Sequence, residues 1–541
     1  MQPPSAILAR PGAVGLRRLS GLPKPSAASW LFVGAAAVYA SAAVYLVFGM
    51  HLIVGDALSR VGNAYYVLFS RDPHLGAIGF VWNPLPSLLM LPIIPFKAVW
   101  PALVSEGFAA NLISIFAMAA TVAQLWKLLR DWMMPAWQAT CLTVLFALHP
   151  MTLQYGANGD SEALFLLCLV VLARALSRWL DSGTTGSLVV VAIALAAAYL
   201  TRYEAIAVAA AVILLVWSAT FVRVIGDRRL KFVTAVADVA VVAAPFLAVF
   251  VGWAVASLVI VGSPFEQFSS VYGTASQLQA GSLGLGSIDR EQLVVGQVMG
   301  LAPFALPLSA IAILLAVVMR RPRLLIPVAI FGSVLAFAVS AWLLGKTGGW
   351  LRYYIAVVPM GTLAAAAISN ARLPIRSPSL RLGVASALAI IAIGAVSVGN
   401  GAAVLTMRDP QLGREDHYKG FDIVRWKVSN QVAQYVDGLD LPNGSVLIDT
   451  FLGSSIVLSS DNPRQFVITS DRDFLPSVTD PVAFHIRYLL VPVGGGLGTL
   501  DAIERQWPSV YATGGGISSL VKEFRVHEGD NQAWRLYRVS D

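Results

Sequence analysis

Residues 30–50 read WLFVGAAAVYASAAVYLVFGM, and residues 51–86 continue HLIVGDALSRVGNAYYVLFSRDPHLGAIGFVWNPLP. The first segment carries no charge, and at about 1.5 Å per residue it is long enough to cross a hydrocarbon core of roughly 30 Å. The second crowds Asp56, Arg60, Arg71, Asp72 and His74 ahead of the proline-bracketed Trp82-Asn83-Pro84-Leu85-Pro86. A cleavable leader is the alternative reading of the first segment, with Ala40-Ser41-Ala42 as its site. The apolar run continues to Gly49, which favours an uncleaved anchor. The chain therefore opens with a membrane span and a loop rich in ionisable groups.

The composition agrees. Of 541 residues, 57% are hydrophobic and only 13% charged, and the mean hydropathy is +0.71. Soluble domains carry roughly a quarter charged residues. The net charge of +8 hides a split: 25 Lys+Arg against 13 Asp+Glu before Thr406, and 13 against 17 from there on. The basic excess belongs to the membrane part, so it requires no nucleic-acid partner. Cys141 and Cys168 both fall in apolar spans, which excludes a disulfide framework as the main staple.

After a cationic Pro/Ser/Gly-rich leader over 1–29, apolar spans are expected near 30–50, 106–126, 136–153, 162–180, 186–200, 203–222, 234–262, 296–318, 324–345, 353–370 and 382–405. Residues 87–100, broken by Pro92 and Pro95, read as a helix at the interface or re-entering it. Lys/Arg bias in short loops sets orientation. With the N-terminus in the cytosol, 18 of the 25 basic residues before Thr406 fall on the internal side. An odd span count then puts residues 406–541 outside the plasma (inner) membrane. That tail changes character. An amphipathic run at 421–436 precedes short β-rich runs at 445–448, 466–469, 487–491, 520–525 and 535–539. Helices are expected near 480–485 and 500–507, and two triple-glycine loops at 494–496 and 514–516. The fold expected is a polytopic α-helical membrane module over 30–405, with an external loop at 51–105 and an extracytoplasmic α/β domain over 406–541.

The polar groups at the external ends of the spans are few. Asp56 is placed to accept a proton as a general base, or to cap a helix. Asp160 and Glu162 open a span, where acids also suit a helix N-terminus. Arg202 and Glu204 sit in the shortest external turn, and either pair with each other or hold a phosphate. Arg352 and Tyr353 open a late span, as phosphate donors or as interfacial anchors. Asp72 and His74 are too few to define a metal site. There is no Walker loop, dinucleotide-binding glycine fingerprint, HExxH or serine-nucleophile elbow.

Taken in order, these clusters resemble the GT-C superfamily of polytopic glycosyltransferases, in particular the group holding the protein O-mannosyltransferases and the lipid A aminoarabinose transferase. Asp56 in Gly55-Asp56-Ala57 matches the family's catalytic aspartate after span one. Asn83-Pro84-Leu85-Pro86 is similar to its Pro-Pro-Leu element, without the lysine that often precedes it; Arg71 or His74 would substitute as phosphate ligand. Asp160 and Glu162 match its second acidic cluster. Leu200-Thr201-Arg202-Tyr203 looks like its Leu-Thr-Lys-Gly turn, and Arg352-Tyr353 with Pro359 its Arg-Tyr element. The resemblance spans roughly 30–400. It implies inverting transfer of a sugar from a polyprenyl-phosphate donor to an extracytoplasmic hydroxyl on a cell-envelope glycan, glycolipid or protein. Asp56 would be the base, Asp160, Glu162 and Glu204 a second acidic site, and Arg352, Tyr353, Arg202, Arg71 and His74 would meet the donor phosphate. A divalent metal is compatible with the superfamily, though nothing in the sequence demands one. The rival readings are a transporter or flippase of lipid-linked sugar, which would be expected to show internal repeats, and a non-catalytic envelope scaffold.

Overall fold

The computed structural model describes residues 26–280, 289–370, 377–413, 426–525 and 533–540. The expected leader lies almost wholly outside them, as does the first part of the amphipathic run at 421–436. Each of the eleven expected spans coincides with helix. Eight of these helices are long and apolar enough to cross a membrane, and Arg290–Leu301 with Ala305–Val318 adds a ninth if that pair, bent by 76°, is one span. Pro303 explains the bend, because the residue before a proline is pushed out of the α region. Ala136–Ala147 and Thr185–Thr201 are shorter. The first stops at His149-Pro150, where His149 caps a new helix, Pro150–Ala157, by accepting from the Met151 N–H at 3.2 Å.

Three helices form the centre of the bundle: Phe108–Asp131, Glu162–Ser182 and Leu351–Ser369. The last is enclosed over nearly its whole length. Its middle is made of small residues, with Ala364, Ala365, Ala366 and Ala367 all buried, and small residues let helix backbones approach closely in lipid.

The segment 51–86, read above as a loop, contains a 15-residue helix, Gly55–Phe69. Its buried face carries Ala57, Leu58, Val61 and Tyr65 at helical spacing, along with Arg60. Residues 85–105 form short helical pieces, Leu85–Met90, Ile94–Ala98 and Ala102–Ser105, interrupted by prolines as expected.

All five expected strands of the tail are present: β1 (Val446–Ile448), β2 (Phe466–Val467), β3 (Tyr488–Pro492), β4 (Ser518–Phe524) and β5 (Trp534–Val539). They form one sheet in the order β2-β1-β3-β5-β4. β1 pairs in parallel with β2 and β3, while β5 runs antiparallel to β3 and β4. Parallel neighbours need a crossover, and helices Thr450–Ser459 and Phe474–Thr479 supply the two required. The sequence missed both crossovers. The helix expected at 480–485 is a run of turns instead, and the one expected at 500–507 is Ala502–Gln506.

The sheet segment packs on one end of the bundle, the end that carries Arg71 and Asp72. Arg71 pairs with Asp471, at 3.2 Å, and with Asp473. Asp72 answers with Arg472 at 3.2 Å. Tyr272, from the loop after the long helix Arg228–Val261, donates to Asp449 Oδ2 at 2.8 Å and stacks on Phe451. Burial raises the pKa of Asp449 despite that bond and two backbone N–H donors. Burial also pushes Asp471 up to about 6, with Arg71 pulling the other way.

Candidate active site

The site is assembled from four stretches far apart in the chain. Asp56 sits in the first turn of Gly55–Phe69, where the helix dipole favours an acid. One turn on, Arg60 donates to the Asp56 carbonyl at 3.1 Å and reaches Asp160 Oδ1 at 3.4 Å. The Arg60 guanidinium lies over the Trp82 ring, 4.8 Å from its centroid. Asn83, next to Trp82, donates to the Tyr199 carbonyl, which ties the proline element to the helix that ends at Thr201.

Asp160 is held in a turn between two helices. Asn158 accepts from its backbone N–H and donates to its carboxylate, both at 3.1 Å. Ser114 donates to its carbonyl at 2.9 Å. Gly159 makes the turn possible: its φ is +89°, and an added Cβ would stand 3.0 Å from Ala57 and 3.1 Å from Ala110. Only a residue without a side chain lets this turn lie against the helix of Asp56.

Arg202 is gripped on both sides. It reaches Glu162 Oε1 at 2.5 Å and Glu204 Oε1 at 2.6 and 3.0 Å. The pairing with Glu204, one of the two sequence readings, is present, and Glu162 joins it. Arg352 is shared between Asp56 Oδ2 at 3.1 Å and Asp160 Oδ2 at 3.7 Å. Its guanidinium also faces the Trp350 and Tyr353 rings, and Arg202 approaches the same Tyr353 ring at 5.9 Å. All three arginines and three of the four acids are buried or nearly so, while Asp56 keeps the most solvent access, at 18%.

Asp56, Arg60, Arg202, Tyr203, Glu204, Arg352 and Tyr353 thus line one pocket, of about 60 Å³. Asp56, Val81, Trp82 and Gln277 also belong to the wall of a far larger cavity, about 1540 Å³, at the seam with the sheet segment. The pocket gathers Asp56, Arg202, Glu204, Arg352 and Tyr353 from the sequence-based candidates, with Asp160 and Glu162 directly behind it. Arg71 is not part of it, being turned to Asp471 and Asp473. His74 lines the larger cavity, with Nδ1 2.7 Å from the Asp72 carbonyl. Arg60 and Trp82 were given no role by the sequence. The Asp56-to-Arg60 spacing of four, which puts both on one helix face, was the available signal. Among the described residues no group of three His, Cys, Asp or Glu is arranged to hold a metal ion.

Residues 101–250 match the family described as dolichyl-phosphate-mannose-protein mannosyltransferase. Comparison with curated proteins returns no match. Among solved structures, ArnT from Cupriavidus metallidurans bound to undecaprenyl phosphate superposes with a TM-score of 0.53 at 13% identity, over 95% of this chain and 98% of that one. The apo form of the same protein gives 0.49 at 13% identity, with the same two coverages. The oligosaccharyltransferase AglB from Archaeoglobus fulgidus, in complex with an inhibitory peptide and a dolichol-phosphate, gives 0.41 at 12%, over 90% of this chain and 70% of its own. The helical bundle with its sheet superposes along nearly its whole length on the undecaprenyl-phosphate complex, so the chain shares the fold of that polytopic membrane protein, the GT-C-like fold that the sequence resemblance implied.

Proposed function

We propose that the chain is an inverting glycosyltransferase that moves a sugar from a polyprenyl-phosphate carrier to a hydroxyl presented on the extracytoplasmic face. The observation that carries this reading is the Asp56–Arg352 contact of 3.1 Å in a pocket that also holds Arg202 and Tyr353. It joins a carboxylate with solvent access to a guanidinium fork of the kind that suits phosphate oxygens. The matched family name, with its dolichyl-phosphate donor, and the undecaprenyl phosphate held by the structural neighbour support a lipid-phosphate donor.

In the reaction, Asp56 takes the proton of the acceptor hydroxyl. The acceptor oxygen bonds to the anomeric carbon, and the bond from that carbon to the phosphate oxygen breaks. The carrier departs as polyprenyl phosphate, its new charge met by Arg352 with Tyr353 beside it. Arg202, fixed by Glu162 and Glu204, supports the far wall of the pocket. The contacts of Arg352 with its two carboxylates, 3.1 and 3.7 Å, are longer than those of Arg202. Arg352 is the guanidinium in contact with Asp56, so it is the one placed to meet an arriving phosphate beside the base. Turning Arg352 toward phosphate also releases an oxygen of Asp56, which can then accept from the acceptor hydroxyl.

The N-terminus is then cytosolic, and the sheet segment works outside the plasma (inner) membrane as a domain over 406–541. The test is reconstitution of the purified chain in liposomes with labelled polyprenyl-phosphate sugars and envelope acceptors. Transfer by the wild type that disappears in Asp56→Asn supports the reading; no transfer by the wild type overturns it, and transfer that persists in the variant at the wild-type rate removes Asp56 as the base.

A further inference from the structure

The large seam cavity has a different chemistry from the pocket beside it. Its polar wall is mostly neutral: Ser59, Asn63, Ser429, Thr450, Thr469 and Ser470, with the backbone of Gly494 to Gly496. Its acids are Asp56, Glu266 and Asp471. Among the described lining residues the basic side chains are Arg472, which Asp72 holds at 3.2 Å, and His74, whose Nδ1 lies 2.7 Å from the Asp72 carbonyl and 3.8 Å from its carboxylate. Such a wall has hydrogen-bond partners for sugar hydroxyls and little to neutralise a phosphate or carboxylate, which would have to be desolvated beside carboxylates. Trp82 and Trp534 add aromatic surface to it.

One side of the same cavity is apolar and open. Leu75 is 76% exposed and Leu475 67% exposed, and Ile260 and Val261 beside them are exposed as well. Ile260 and Val261 end the helix Arg228–Val261, a candidate span of which little is covered by protein. A methyl at Gly76 would stand 3.0 Å from Ile260, so the loop carrying Leu75 touches that helix end. The apolar lip is thus continuous with a helix surface exposed along its length, whereas the hydroxyl-lined floor reaches Asp56.

From this juxtaposition we propose that the seam cavity binds the acceptor, and that the acceptor is an uncharged, hydroxyl-rich glycolipid whose tail leaves over Leu75, Ile260, Val261 and Leu475. This rests on the transferase reading given above and narrows its acceptor class. Soluble glycans, polypeptides and phosphate-bearing lipids are excluded by it.

The test uses the full chain in phospholipid nanodiscs and an alkyl glucoside with a diazirine in its alkyl chain. The labelled peptides are read by mass spectrometry. The expected result is labelling at residues 75, 260–261 and 475, competed by dodecyl maltoside and not by methyl glucoside or dodecyl phosphate. In Leu75→Ser/Leu475→Ser, two exposed positions whose change leaves the core untouched, labelling at 260–261 falls about tenfold at limiting probe, the order expected when apolar contacts worth a kcal/mol or two are lost. Labelling elsewhere only, equal competition by dodecyl phosphate, or equal protection by methyl glucoside each overturns the proposal. Asp56→Asn separates the two readings. Labelling retained without transfer supports both, whereas transfer retained in that variant removes Asp56 as the base and leaves the cavity's ligand to be judged by the labelling.

Discussion

The pocket and the seam cavity share Asp56, Val81, Trp82 and Gln277, and Asp56 is the one charged group among these. The pocket is small, charged and built by the membrane helices, and its arginines are locked to carboxylates from three separate stretches. The cavity is about 1540 Å³, mostly neutral, and has the sheet segment as one wall. The contrast teaches where each kind of specificity is stored. Buried ion pairs lose several kcal/mol when one partner is removed, so they fix geometry. Hydroxyl and glycine walls are forgiving, and they suit a variable ligand.

The largest effect that tests this contrast is at the shared carboxylate. Asp56→Asn is expected to lower turnover by about 10²–10⁴-fold, the usual worth of a general base, with little change in the donor KM. Next is Arg352→Ala, expected to lower kcat/KM for the donor by about 100-fold or more, since it removes the guanidinium that would meet the donor phosphate and one charge partner of buried Asp160. Arg352→Lys should restore only part of this, because the fork is lost; full recovery would mean that charge alone matters there.

Gly159→Ala tests the turn that lays Asp160 beside Asp56. At a φ of +89° with Ala57 3.0 Å away, it is expected to destabilise by about 1–3 kcal/mol, seen as a lower thermal midpoint. An unchanged midpoint would show that the turn has another conformation open to it. At the seam, Arg71→Ala breaks the contacts to Asp471 and Asp473. It should raise the acceptor KM several-fold and leave the donor KM alone. A shift in donor KM of the same size would instead return Arg71 to the phosphate role that its sequence position suggested.

The smallest effect is a pH dependence. Asp471 has a folded pKa of about 6, above the ordinary carboxylate value of about 3.9. Between these values the folded chain keeps a proton that the unfolded chain has released. Stability therefore falls as pH rises through that window and levels off above it. Thermal midpoints of Asp471→Asn should lose this slope, and a slope that survives assigns it to another group.

The spans were legible because an apolar window needs no partner to be recognised, and the strands because each is a short β-branched run between turns. Asp56, Arg202 and Arg352 were legible as polar residues where apolar ones were expected. What escaped was everything decided between segments. Gly55–Phe69 read as a loop because its helical face alternates small residues with Arg60, which a bundle can bury only once Asp160 is opposite. Arg71 read as a phosphate ligand because its partners lie 400 residues away. Asp471-Arg472-Asp473 mirrors Arg71-Asp72 in charge, but no local pattern announces which charged stretch will meet which.

The helix Thr185–Thr201 has 17 residues, about 25 Å at the usual rise, and the next, Ala205–Arg223, has 19. The turn joining them holds Arg202. A helix of about 25 Å falls short of a hydrocarbon slab of roughly 30 Å, a mismatch that lipid meets by thinning locally. On the transferase reading proposed above, a carrier's phosphate would reach the turn of Arg202 through such thinned lipid, and thicker bilayers would slow its arrival without altering a single side chain.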